Sequence, residues 1–276
     1  MTAPEVLLYD TDAGLLAFST TRNGGVGQGN YARFNINEYA GDEPAAVETN
    51  RDALCRWLGI DADRLIGARQ VHGTEVCHIT ADFLNQPLSL RRQLLEGVDA
   101  LMTDVPGVCI GVSTADCIPV ILHDTGHRAV SVVHSGWRGT LADIVGKTIC
   151  AMRETFGTHV EHLQCRIGPG ISLKNFEVGD EVFEQFKAAG FDTDTIACRM
   201  PVMSNGETTV AEADTLKWHI DLPACICKQL EAQGVQAHQW QISPICTYDQ
   251  VETFFSARRL GIGSGRIFTG AMLRRR

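Results

Sequence analysis

Three short β-rich runs, Val108 to Val112, Ile118 to His123 and Ala129 to His134, follow one another with only turn segments such as Asp124-Thr-Gly126 between them. Runs of this composition and spacing predict neighbouring strands of one sheet. Directly afterwards Leu141, Ile144, Val145, Thr148, Ile149 and Met152 recur at three- and four-residue intervals, the stripe of an amphipathic helix with Thr140 as its cap. Further helices are expected over Ala45 to Leu58, Val178 to Ala188 and Leu222 to Gln233, the last capped by Asp221 and closed by Gly234. Helices mixed with short strands of both connection types predict an α+β or mixed α/β fold. The stretch Asp82 to Glu96 and the polar segment around Ser204-Asn-Gly-Glu-Thr read as surface loops or short inserts. With no repeat, low-complexity tract or linker in sight, residues 1–276 are expected to form a single domain.

At 276 residues and 44% apolar content the chain can bury a large core. Its 24 basic and 33 acidic residues give a net charge of −9, and Arg274-Arg275-Arg276 is the sole basic stretch. Nucleic acid is not an expected partner, because phosphate backbones require clustered positive charge. The N-terminus lacks the basic and apolar regions of a signal peptide, and no apolar run is long enough for a bilayer, so a cytoplasmic protein with no membrane partner is expected. The sequence leaves the oligomeric state open and is compatible with a monomer. The ten cysteines are expected to be mostly reduced, and zinc-finger spacing is absent. Cys225 and Cys227, two positions apart, read as core thiols, as do Cys55, Cys109, Cys150 and Cys165.

One Cys and two His stand inside distinctive motifs: Gln70-Val-His72-Gly73, Thr114-Ala-Asp116-Cys117-Ile-Pro119 and His134-Ser-Gly-Trp137-Arg138-Gly139. Taken singly, a His at a strand end is usually a hydrogen-bonded structural residue, and a Cys in an apolar run is usually core. Their neighbours argue otherwise: glycines beside both His, Asp116 beside the thiol, and Trp137-Arg138 beside His134 replace the Val, Leu or Ala of a plain core. A thiol and two imidazoles are ligands zinc prefers, and three protein ligands with an open fourth position mark a catalytic zinc. The same groups could serve as a Cys nucleophile with its base. Either arrangement predicts an enzyme. The remaining histidines, His78, His123, His127, His159, His162, His219 and His238, show no ligand spacing and read as surface or structural.

With these motifs the chain resembles the YfiH family, also called the laccase-domain or polyphenol oxidase family, over nearly its whole length. The likeness extends through Phe18-Ser-Thr-Thr-Arg22-Asn-Gly24-Gly25-Val26, Gly41-Asp42-Glu-Pro44, Asn50-Arg51 and Asp99-Ala-Leu-Met-Thr103. It continues in Ile167-Gly-Pro-Gly-Ile171, Phe176-Glu177-Val178-Gly179, Cys246-Thr247 and Phe255-Ser-Ala-Arg258-Arg259. The resemblance implies a single α+β domain with mixed β-sheets flanked by helices, similar to the catalytic domain of cytotoxic necrotizing factor toxins. It implies zinc, with copper as an alternative, held by His72, Cys117 and His134, which are also the catalytic candidates. It further implies Arg22, Asn35, Gln70 and Arg138 as substrate-binding residues. Gly170 stands where many members carry Cys, and Thr20-Thr21-Arg22 is a variant of Ser-Thr-Arg. The Gly170 difference weakens any case for extra sulfur ligation of copper.

The activities implied are phosphorolysis of adenosine, inosine and methylthioadenosine, and adenosine deamination. Alternatives are Cys-His amide hydrolysis in peptidoglycan precursor editing and copper-dependent polyphenol oxidation. A non-enzymatic metal-sequestering or partner-binding protein is a third class. Phosphorolysis requires a held phosphate, which forked guanidinium groups at Arg22 and Arg138 suit, although a salt bridge is the ordinary role of either. Deamination requires an activated water, which zinc supplies by lowering its pKa to ~7. A multicopper relay fits less well, since it needs many imidazoles and His72 and His134 are the two placed in motifs.

Overall fold

A computed structural model describes residues 3–201, 203–204, 207–208 and 216–275. Two mixed sheets form its centre. One runs in the order Val6–Leu8, Leu15–Thr20, Ile267–Leu273, Cys109–Thr114 and Leu65–Gly67. The other runs Trp240–Ile242, Leu163–Ile167, Ile118–Asp124, Ala129–Ser135, Val98–Thr103 and Glu75–His78. The central strands are apolar on both faces, which a strand can afford only when both faces are covered. Ile118–Asp124 is buried at every position, and its side chains alternate between two cores. Ile121 joins Leu101, Val130 and Val132 against Leu15, Ile110, Val112 and Ala271 of the other sheet. Ile118, Val120 and Leu122 face the helices instead, packing with Ile144, Val145 and Ile149 and with Ile226 and Leu230. The outer face of the five-stranded sheet is closed by the helix Pro44–Leu58, whose Ala53, Leu54 and Leu58 meet Phe18, Phe268 and Met272. The result is a helix, sheet, sheet, helix stack of the α+β class.

The three β-rich runs divide between the sheets. Cys109–Thr114 pairs with Ile267–Leu273 and Leu65–Gly67, whereas Ile118–Asp124 pairs with Ala129–Ser135. The chain changes sheet at Ala115-Asp116, where Asp116 takes a left-handed conformation (φ 89°). The helix expected after Thr140 is two pieces, Trp137–Leu141 and Ile144–Phe156. Asp143, itself left-handed, restarts it by accepting a hydrogen bond from the Gly146 amide. The stretch Asp82 to Glu96 is not a loop; it contains the helices Ala81–Leu84 and Leu88–Leu94. In the polar segment near Ser204, Met203–Ser204 pairs with Glu207–Thr208, and residues 205–206 lie outside the described residues. Cys55, Cys109, Cys165 and Cys225 are buried, Cys227 is half-buried, and Cys150 is exposed on its helix rather than in the core. No helix among the described residues is long and apolar enough to cross a membrane.

Candidate metal centre

The sheet change at Ala115-Asp116 puts Cys117 at the start of one strand, beside the end of its antiparallel neighbour. Ile118 pairs with Ser135 and Pro119 with His134, so Cys117 and His134 are diagonal neighbours across a fixed ladder. His72 arrives from outside the sheet, on the segment between Leu65–Gly67 and Glu75–His78, in a left-handed conformation (φ 63°). The potential ligand atoms of His72, Cys117 and His134 lie within 4.8 Å of one another. The two imidazole rings meet edge to face with centroids 4.8 Å apart. His134 is buried, Cys117 half-buried and His72 exposed, so the cluster opens to solvent on the His72 side.

Two buried carboxylates hold the three residues in place. Asp99, with no exposure at all, accepts from His134 Nδ1 at 2.7 Å. It also accepts from the backbone amides of Val71, His72 and Gly73 at 3.1, 3.0 and 2.8 Å. Asp116 accepts from the Thr247 hydroxyl and from the Arg258 amide, both at 2.7 Å, and its own carbonyl accepts from the Ile171 amide at 2.8 Å. These bonds compensate the left-handed backbone beside Cys117 and tie that corner to the C-terminal segment.

The electrostatics follow from the packing. Desolvation pushes the Cys117 thiol up, but the charge of His134 and hydrogen bonds from both imidazoles outweigh it and bring the thiol down to about 6. Desolvation disfavours the His134 cation, yet Cys117 and Asp99 together raise that imidazole to about 9. Burial opposes ionisation of Asp99, but its bond to His134 and its backbone donors hold its carboxyl below the usual range. Arg266 adds a positive charge within electrostatic reach of Cys117 and Asp116, its guanidinium braced by the Ile262, Ser264 and Gly265 carbonyls.

The cluster fits a zinc ion on three counts. Its donors are two nitrogens and an ionisable sulfur. His134 Nδ1 is already engaged, which leaves Nε2 for a metal. Gly136 lacks the Cβ that would crowd the Cys117 sulfur and the His72 ring. Among the described residues this is the group of His, Cys and carboxylate side chains that converges in this way. His127, His159 and His162 do form a chain of ring contacts, 6.0 and 6.3 Å between centroids, that their sequence spacing did not announce.

The other expected site residues are placed differently. Asn35 is fully buried. Its amide donates to the Asp42 carboxylate and the Asn37 carbonyl, while its oxygen accepts from the Asn37 and Arg266 amides. Its side-chain polar atoms are thus engaged within the chain itself. Gln70 forms a two-point clamp with the Ser113 backbone at 2.9 and 2.7 Å, positioning the His72 segment. Arg22 donates to the Ala32 and Val251 carbonyls at 2.7 and 2.5 Å and lies over Phe255, which makes it a staple between chain segments. Arg138 alone of the four is exposed, its guanidinium stacked 4.1 Å over Trp137 on the helix that follows His134. Gly170, at the position where many members of the resembled family carry Cys, has no room for a Cβ against Ile118 Cδ1 and the Asp116 carbonyl.

A family model described as multi-copper polyphenol oxidoreductase laccase matches residues 16–274, nearly the entire chain. This chain belongs to that family, the YfiH family. A relative in Bacteroides thetaiotaomicron named purine nucleoside phosphorylase is 43% identical over 256 residues, covering 93% of this chain and 90% of the relative. Adenosine deaminase RL5, from an unknown prokaryotic organism, is 41% identical and covered to 93% on both sides. Among solved structures, Bacillus licheniformis YfiH has the same fold at a TM-score of 0.86 and 24% identity, over 99% of this chain and 97% of that one. YlmD of Geobacillus stearothermophilus aligns at 0.80 and 27% identity, over 95% and 93%. YfiH-family relatives of this chain thus carry enzyme names, for two reactions of purine nucleosides.

Proposed function

We propose that this protein is a zinc-dependent enzyme of purine nucleosides whose main reaction is phosphorolysis of the glycosidic bond. Adenosine deamination is a second reaction of the same site. The observation that carries this reading is the convergence of His72, Cys117 and His134 within 4.8 Å at a cluster open on the His72 side. The relatives named for these two reactions support it. Bound in that cluster, zinc would supply Lewis-acid polarisation and water activation. The chain's own groups would do the rest. Cys117 and the two imidazoles hold the ion, Asp99 fixes His134, and Arg138 presents a forked, solvent-accessible cation to phosphate beside the Trp137 face. Arg22 and Arg266 act through the fold, since backbone carbonyls engage their guanidinium groups. A relay of several coppers would need further ligand clusters, and the described residues offer one.

A second reading rests on one specific observation. Asp99, His134 and Cys117 are linked as carboxylate, imidazole and thiol, the order that activates a Cys nucleophile. Metal-free amide hydrolysis would use that row directly.

Metal-analysed protein incubated with adenosine, inosine and methylthioadenosine, with and without phosphate, tests the proposal. Adenine and ribose 1-phosphate should appear from adenosine and saturate with phosphate, while inosine formation should need no phosphate. Adenine release that ignores phosphate would replace the phosphorylase with a hydrolase. Zinc-replete protein that turns over none of the nucleosides would favour the amidase.

A further inference from the structure

We infer that Asp99 is the positioning residue of the site, a single carboxylate that sets the tautomer of His134 and the backbone of His72 together. The inference rests on the proposed role of the cluster and deepens it. Asp99 lies in the strand Val98–Thr103, which is buried at every position, and a carboxylate there must be satisfied by the protein itself. All four of its partners belong to the two segments that carry imidazoles. Oδ1 accepts from His134 Nδ1 at 2.7 Å and from the His72 amide at 3.0 Å. Oδ2 accepts from the Val71 and Gly73 amides at 3.1 and 2.8 Å.

Two consequences follow. Nδ1 of His134 must carry the hydrogen, so Nε2 is the nitrogen turned toward Cys117. Three consecutive amides wrapped around one oxygen pair hold His72 in its left-handed conformation, which a non-glycine residue keeps only when its surroundings impose it. His72 and His134 have no contact through the sheet ladder; their rings touch edge to face, and the carboxylate joins their two segments by hydrogen bonds. An asparagine has the same shape but turns N–H donors toward other N–H donors, and therefore cannot make the same set of bonds.

The test compares wild type, Asp99→Asn and Asp99→Glu by competition for zinc with a chromophoric chelator, alongside their melting temperatures. Asp99→Asn should bind zinc about 10- to 100-fold more weakly, the usual effect of removing such a partner. Asp99→Glu, which keeps the charge but misplaces it, should fall short of wild type as well. Asparagine protein that melts earlier yet binds zinc with wild-type affinity would overturn the inference, because a purely structural carboxylate would behave that way. Nitrogen-15 NMR of the wild-type histidines gives a readout that needs no variant. In metal-free protein at a pH where His134 is neutral, its Nδ1 should carry the hydrogen, and an Nε2–H tautomer would overturn the inference. If wild type itself binds no zinc, the metal reading fails, and the tautomer still decides the role of Asp99.

Discussion

Gly136 lies directly against Cys117: a Cβ built on it would stand 2.9 Å from the Cys117 sulfur and 2.9 Å from His72 Cδ2. The backbone there is ordinary extended chain (φ −75°, ψ 171°), open to any residue, so the requirement for glycine is steric. Gly136→Ala should displace the thiol or the imidazole and abolish stoichiometric zinc. The crowding should cost about 1–3 kcal/mol of stability. Elemental analysis and thermal melting read the two effects, and full zinc content in the alanine protein would show that the cluster holds its ion elsewhere.

Cys117→Ala should also lose zinc and nucleoside turnover, but with little loss of structure. Cys117 is half-buried and sits at a strand start outside the main cores, which stand without it. Circular dichroism should match wild type while elemental analysis finds no zinc. Wild-type zinc content would remove the sulfur from the site.

In protein stripped of metal, Cys117 should react as a thiolate well below the range of an ordinary thiol. Desolvation alone would push it up, and the pairing with His134 and His72 brings it to about 6, while His134 rises to about 9. The sign is therefore fixed: below about 6 the thiol is protonated, and between about 6 and 9 the thiolate and imidazolium coexist. Alkylation of Cys117, followed by peptide mass, should show its half-maximal rate near pH 6 and be suppressed by added zinc. A midpoint near 9 would contradict the ion pair.

The two arginines should separate cleanly. Arg22→Lys loses a fork that reaches two carbonyls and should destabilise the protein by about 1–3 kcal/mol, with the rate per folded molecule nearly unchanged. Arg138→Lys touches no such bond and should leave stability within about 0.5 kcal/mol. Its phosphorolysis rate should fall roughly tenfold or more, because an ammonium lacks the planar fork. Unchanged phosphate dependence in Arg138→Lys would give phosphate another holder.

Much of this arrangement was legible in the chain. Periodicity located the helix Pro44–Leu58 and, within two residues, Asp180–Ala188 and Leu222–Ala232, with Asp221 capping as expected. The motifs named the three converging side chains. Three features were hidden for identifiable reasons. Strand composition does not say which sheet a strand joins, so Cys109–Thr114 appeared to neighbour Ile118–Asp124. The helix Leu88–Leu94 buries Arg91 and exposes Leu88, Leu90 and Leu94, which inverts the pattern that identifies a helix. The apolar spacing runs unbroken through Asp143, where a left-handed residue splits the helix. Asp99 did leave a signal, a lone carboxylate within the apolar run Val98–Thr103. Thr247 stood in the Cys246-Thr247 motif, but its bond to Asp116 depends on the pairing of Cys246 with Gly170; Arg266 left no signal, because its proximity to Cys117 depends on the return of the last strand beside Cys109–Thr114.

The diagonal placement of Cys117 and His134 across one hairpin has a kinetic meaning. Their separation is set by paired backbone on both sides, with Ile118 opposite Ser135 and Pro119 opposite His134, and can change only if a strand slips. His72 has no such ladder and is the exposed member of the three. Two donors thus share one hydrogen-bonded ladder, and the third is tethered to it through the carboxylate of Asp99. The lifetime of a bound ion should therefore depend on how often the Asp99 bonds to the Val71, His72 and Gly73 amides open, not on the stability of the protein as a whole.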